Sequence, residues 1–402
     1  MGILQRYVIF EVARAFILAL VTMTAIFVLF MVAAQARNVG LSPADVLHLV
    51  PYIVPSTLPY TIPVSLLFAS TVVYGRLAGD NEIIAVKTAG LSVMTVLWPT
   101  FSMAIALSAG LLFISTGWIP TSNHNAKMVI FKDLEDMVYK LLKRDREFDH
   151  RRWPFSIKVR DVEGKVMIDP TFKHKAKVRS ADSDYDAVIQ ARSAVMSFDL
   201  PGKMVRVLLD DAEVQHNVRD ADVMLINKDT LEIPIPSDSG FGVEKNIQEY
   251  TNPEIAAELA RHHYLLATER KKQAIMAGFG FAAGRLDRIN WSDVNQAFIT
   301  RTAWIAKCNE LETERQLRVS MAFGSLLFVV LGAPVGILFA RRDFLSAFIT
   351  CFMPIIVLYY PLMLFGVNIS KEGLLPPWQA LWMGNVLLAV LAAFALPPVV
   401  RH

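Results

Sequence analysis

The chain has 402 residues, 54% of them hydrophobic, with a mean hydropathy of +0.40. That is too apolar for an ordinary soluble protein of this length and calls for several membrane spans. A formal net charge of only +3 gives no basis for a nucleic-acid partner, and the two cysteines, Cys308 and Cys351, the second inside an apolar run, argue against a disulfide or redox role.

Six runs have the length and freedom from charge that a hydrocarbon core of about 30 Å requires. They are residues 15–34, 49–75, 93–118, 319–340, 344–369 and 374–400, three before and three after one long polar insert at 119–318. The first run is longer than a signal-peptide core and has no small-residue cleavage site, so no cleaved leader is expected. Glu11 and Arg14, near its start, read as snorkelling or paired interfacial groups. The second run, PYIVPSTLPYTIP, carries Pro51, Pro55, Pro59 and Pro63. Each proline removes a backbone donor, and their spacing puts them on one slowly drifting stripe that bends the helix. A kinked packing element and a flexible wall both fit this pattern. No span holds an ionisable residue near its centre, which argues against an ion-coupled transporter or channel and favours a path for an amphiphile.

Between the second and third runs lies GRLAGDNEIIAVKTAG. It reads as one short charged helix over 76–91, with Asp80 and Glu82 leading it as a compact acidic knob suited to the positive helix end. A flat amphipathic helix at the lipid headgroups is the plainer reading, but its leading acids would be repelled by anionic lipid. Short connections on this side hold Arg6, Arg76, Lys87, Arg341, Arg342 and Arg401, and those on the other side only Arg37 and Lys371. Both termini and the 76–91 helix are therefore expected in the cytoplasm, with the insert on the far side.

Within the insert, residues 121–146 repeat apolar side chains at three- and four-residue steps and form a helical arm. From 156 to 236 the period changes: SIKVRDV, KVMIDPTF, DAVIQARSAVMSF, MVRVLLDDAEV and DVMLINKDTLEIPI are strand-like and separated by turn signals. The helical region 252–317 holds two helices, one with Asn252 as N-cap and Pro253 at the first helical position, the other starting near Ser292 and running through 310–315 into the fourth run. GFGFAAG at 278–284 lacks the strand and spacing of a dinucleotide loop, so no cofactor is expected. His124, His150, His174, His216, His262 and His263 have no metal spacing, and neither a phosphate loop nor a nucleophile elbow occurs. The chain reads as a non-enzyme that does not hydrolyse ATP itself.

LQRYV at the N-terminus, IPVSLLFASTVVYGRLAGDNEIIAVKTAGLS around the charged helix, and ELETERQLRVSMAFGSLLFVVLGAPVGI at the fourth run carry a resemblance. The chain resembles the lipopolysaccharide export permease family (LptF/LptG, also called YjgP/YjgQ). The resemblance implies an α-helical inner-membrane protein with transmembrane helices in 1–118 and 319–402 and an inserted periplasmic jellyroll-like β-rich domain in 119–318. It implies a permease subunit of an ATP-driven ABC-type exporter that extracts lipopolysaccharide or a similar lipid. Its implied partners are an LptB-like cytoplasmic ABC ATPase, a second permease subunit of the same family or a second copy of itself, and a periplasmic lipid-bridge protein. By position, Glu82 falls at the ATPase contact of the coupling helix, with Asp80, Arg76 and Gly90 flanking it, and Arg37 falls where the lipid headgroup is held. On the residues alone, a non-transporting assembly factor or sensor with a periplasmic binding domain stays open.

Overall fold

The computed structural model describes residues 2–39, 43–132, 134–149, 155–180, 183–199, 204–216, 223–234, 245–282, 291–339, 349–350 and 352–401. Helices α1 (Ile3–Val39), α2 (Pro43–Gly79), α3 (Glu82–Thr88), α4 (Val93–Thr116), α5 (Trp118–Lys132) and α6 (Leu134–Asp145) precede a run of strands. Helices α7 (Asn252–Ala282), α8 (Trp291–Leu338), α9 (Tyr360–Glu372) and α10 (Pro377–Arg401) follow it. The chain divides into two compact units, one of Met1–Met31, Pro51–Asn123 and Ile247–His402, the other of Val32–Val50 and His124–Asn246. Ile247–His402 thus fall in the same unit as the apolar helices.

Six described helices are long and apolar enough to cross a membrane: Ile3–Ala33, Val50–Gly79, Val93–Thr116, Trp291–Leu338, Phe352–Glu372 and Pro377–Val400. Each overlaps one of the apolar runs, although 344–348 and 351 of the fifth run lie outside the described residues. The fourth is continuous with the helix before it, as a helix running from near Ser292 into the fourth run leads one to expect, and is 48 residues long. It runs unbroken through 291–338, with Pro334 inside its apolar end.

In the first unit α2 stands at the centre. Ile62, Leu66, Ala69, Val73, Tyr74 and Leu77 share one core with Val8, Val12 and Phe16 of α1, with Val96, Leu97 and Phe101 of α4, and with Val329 and Ala333 of α8. Without water between helices, close approach depends on small residues. Here a Cβ added at Gly336 would meet the Thr71 carbonyl oxygen at 2.6 Å, and one at Gly332 the Ser70 hydroxyl at 2.6 Å. A second core joins α8 to the last two helices, entered through a π-helical turn at Ile355–Tyr359. That turn sets the Tyr359 ring edge-on to Phe328, 5.1 Å between centroids. Nearby, the Ser320 hydroxyl donates to the Leu381 carbonyl at 2.7 Å and Asn385 donates to the Ser320 carbonyl at 3.0 Å, so the buried polar groups of α8 and α10 serve each other.

Asn252 is not the N-cap of α7. Thr251 takes that place: its backbone N–H and its hydroxyl both donate to the Glu254 carboxylate, at 2.8 and 3.1 Å. This is the backward half of a capping box, a pairing three residues apart that leaves the Asn252 side chain free for another contact.

The second unit is built on one eight-stranded antiparallel sheet. Its strands are β1 (Glu147–Asp149), β2 (Phe155–Lys158), β3 (Asp161–Glu163), β4 (Val166–Ile168), β5 (Thr171–Ser180), β6 (Ser183–Asp199), β7 (Met204–His216) and β8 (Val223–Pro234). Strands β5 to β8 run as a sequential meander, with β2 and the β3–β4 hairpin added at its β5 and β6 edges. A jellyroll needs a return connection between two facing sheets; among the described residues the pairings give a single sheet instead. In β7, Val205, Val207 and Leu209 point to the core. Asp211, at φ 57, then shifts the alternation by one, so that Ala212 is the next buried residue.

Val138, Tyr139 and Leu142 of α6 cover this apolar face, together with Phe172, Met196 and their neighbours. The Tyr139 hydroxyl accepts from the Met196 N–H at 2.7 Å and lies 3.1 Å from the Met196 carbonyl, to which it donates. Burial pushes this phenol above its ordinary value, so the folded chain holds the proton more tightly than the unfolded chain. The resulting stabilisation is present below about pH 10 and is lost as pH rises through the folded value. Tyr139→Phe is expected to destabilise this unit by about 1–3 kcal/mol, since it strands a buried donor and acceptor. Faster hydrogen exchange at the Met196 amide in the full chain is the readout.

Candidate functional site: the connector between the second and third spans

Two polar ties bracket the point where α2 ends. Tyr74 is fully buried, its hydroxyl donating to the Val96 carbonyl at 2.9 Å and lying 2.7 Å from the Thr100 hydroxyl, both on α4. Two residues on, Arg76 Nη2 donates to Glu11 Oε2 of α1 at 2.8 Å. The second span is thus fastened to the third on one side and to the first on the other.

The connector is not the single helix over 76–91 expected from the sequence. Arg76 belongs to the last turn of α2, which runs on to Gly79, and Asp80 and Asn81 form a turn. Asn81 sits at φ 61, ψ 14, a left-handed conformation that an asparagine tolerates and that interrupts helical geometry. The short α3 restarts at Glu82, where an acid suits the positive helix end, and carries Lys87 in its last turn. Ile83 is buried in the core shared with α1, α2 and α4, and Val86 packs against it. Asp80, Asn81, Ile84 and Leu91 are exposed and Glu82 is half-buried. The outer surface therefore presents an acid beside apolar side chains, on a base rooted in the helix bundle.

Gly90 closes α3 at φ 76. Its N–H donates to the Lys87 carbonyl at 2.9 Å and the Leu91 N–H donates to the Val86 carbonyl at 3.1 Å, the paired bonds of a Schellman ending. Ser92 then caps α4, accepting from the Met94 N–H at 3.2 Å. A Cβ at Gly90 would meet nothing within 4 Å, so only the backbone conformation resists a side chain there. Gly90→Ala is expected to cost about 1 kcal/mol. A small fall in thermal midpoint with no change in core packing checks it.

Of the residues singled out from the sequence, Asp80, Glu82 and Gly90 come together on the connector. Arg76 stands at its edge with its guanidinium held by Glu11. Arg37 lies near the other end of α1, and its side chain is outside the described residues. Sequence reasoning placed Glu11 only as an interfacial group and passed over Tyr74. The signal for both was a polar side chain in an apolar run, which needs a partner. Among the described residues no three His, Cys, Asp or Glu side chains gather into a group that would hold a metal.

No curated protein is matched by the chain. The model of the family described as lipopolysaccharide export system permease LptF/LptG matches residues 6–397, which takes in all six apolar helices, the connector and the strand region. With nearly its whole length inside that match, the chain belongs to the LptF/LptG family, multi-pass inner-membrane transport components of lipopolysaccharide export.

Proposed function

We propose that this chain is the permease subunit of an ATP-driven, ABC-type exporter that draws lipopolysaccharide or a similar lipid out of the inner membrane. A separate cytoplasmic LptB-like ATPase supplies the energy and seats on the connector. Glu82 makes the central contact, with Asp80, Arg76 and Gly90 flanking it. A second permease subunit of the same family, or a second copy, completes the membrane part. Both termini and the connector face the cytoplasm and the sheet lies in the periplasm. There its apolar face receives the acyl chains and passes them to a periplasmic lipid-bridge protein, and Arg37 holds the lipid headgroup.

The observation that carries this reading is the connector itself. A seven-residue helix is too short to persist alone in water. It is held rigid by the buried Ile83, by the Schellman ending and by spans fastened on either side, while its acidic end stays open to a partner. Such a lug transmits force. Drawing an acyl chain from a bilayer costs about 0.8 kcal/mol per CH₂, so a lipid with several chains needs nucleotide energy. Purification of the complex from its own membrane, followed by mass spectrometry of bound lipid and protein, tests the proposal. A phosphorylated glycolipid together with an ATPase is the expected content; a complex holding neither sinks it.

A further inference from the structure

Among the residues of α1 whose burial is described, the buried ones lie in one half. Its buried residues are Val8, Val12, Phe16 and Ala19, a stripe at steps of four, four and three, all in the half nearer the connector. From Leu20 to Ala33 no residue is buried; the Thr22 hydroxyl donates to the Leu18 carbonyl of its own helix, and the Thr24 hydroxyl donates to that of Thr61 at 3.3 Å. Apolar stripes of this kind fix how close two helices lie but let them slide. The Glu11–Arg76 pair is different in kind: a 2.8 Å charge-assisted hydrogen bond has direction and register. Its arginine is wired to the acidic turn, because the Asp80 N–H donates to the Arg76 carbonyl at 2.8 Å. On the opposite side Tyr74 passes the same displacement to α4.

We propose that Glu11 is a positioning residue of the transport cycle: through Arg76 it couples displacement of the connector to α1, so that the loosely held half of that span moves with it. This rests on the reading that a nucleotide-hydrolysing partner pushes on the connector. The side chains of Arg76 and Glu11 are 49% and 22% exposed. A pair that open adds little to stability, so breaking it leaves the chain folded and alters only what it transmits.

The test uses the full complex with its ATPase, reconstituted with lipopolysaccharide in vesicles. Spin labels replace Phe30 of α1 and Phe113 of α4, both widely exposed side chains in the same unit. The unaltered complex is measured first. If no ATPase is bound there, the functional reading itself has failed, and the result says so before any variant is made. With ATPase bound, nucleotide is expected to change the distance between the labels. Glu11→Arg alone is expected to abolish that change and to lower lipid released per ATP by about fivefold or more, with the ATPase still bound. Glu11→Arg combined with Arg76→Glu restores the pair in reverse and is expected to recover both readouts. A Glu11→Arg complex that behaves as the unaltered one, a Glu11→Arg complex that loses the ATPase, or a reversed pair that recovers nothing would each overturn the proposal.

Discussion

Glu82→Arg is expected to strip the ATPase from the purified complex while the permease itself stays folded. Glu82 opens α3, where a carboxylate gains from the helix end and an arginine loses; that term is about 0.3–1 kcal/mol, far too small to unfold the bundle. Reversing one charge of a partly desolvated contact costs much more, about 2–5 kcal/mol of association, or about thirtyfold and upward in affinity. The two effects separate in a single preparation: co-purification reports the second and thermal midpoint the first. Glu82→Gln keeps the shape and loses only the charge, so it falls between. Retention of the ATPase by Glu82→Arg would remove the acidic contact from the mechanism, whatever else the connector does.

The connector also shows where sequence stops being readable. Its apolar flanks and its acids stand out at once, since solvation in a membrane constrains composition strongly. Its break does not. Asn81 is as compatible with a helical turn as with φ 61, and only the packing of Ile83 beneath it selects the second. Glu11 and Arg76 are 65 residues apart, and no local period joins them. The six spans were legible because each is a local property. The 48-residue α8 was legible as one helix running from near Ser292 into the fourth run, because helical periodicity carries through although its polar and apolar halves differ in composition. The strands were legible from alternation, but their pairing order, which decides between a meander and a jellyroll, is again a long-range choice.

Arg318 marks the junction of those two halves of α8, and its loss is expected to be among the most damaging single changes in the chain. It is 7% exposed. Its Nε donates to Glu314 at 3.1 Å, its Nη1 to the Asn252 side chain at 3.1 Å and its Nη2 to the Gln248 carbonyl at 3.4 Å. One planar guanidinium therefore joins the entry of the fourth span to the beginning of α7, and the capping role taken by Thr251 is what frees Asn252 to receive it. Arg318→Leu leaves the Glu314 charge without this partner in a place where its side chain is only 16% exposed, and a cost of about 3–5 kcal/mol is expected. Glu314→Leu alone strands the guanidinium with a similar penalty. The double change Arg318→Leu with Glu314→Leu removes both charges and is expected to recover most of the loss, because an apolar pair bears no desolvation cost. Arg318→Lys keeps the charge but cannot reach three acceptors in one plane, and it is expected to sit between the extremes. A double-mutant cycle on thermal stability decides the matter. A coupling near zero, with the two single losses simply adding, would mean that Glu314 does not compensate the buried guanidinium and that the Arg318 contacts to Asn252 and Gln248 account for its effect.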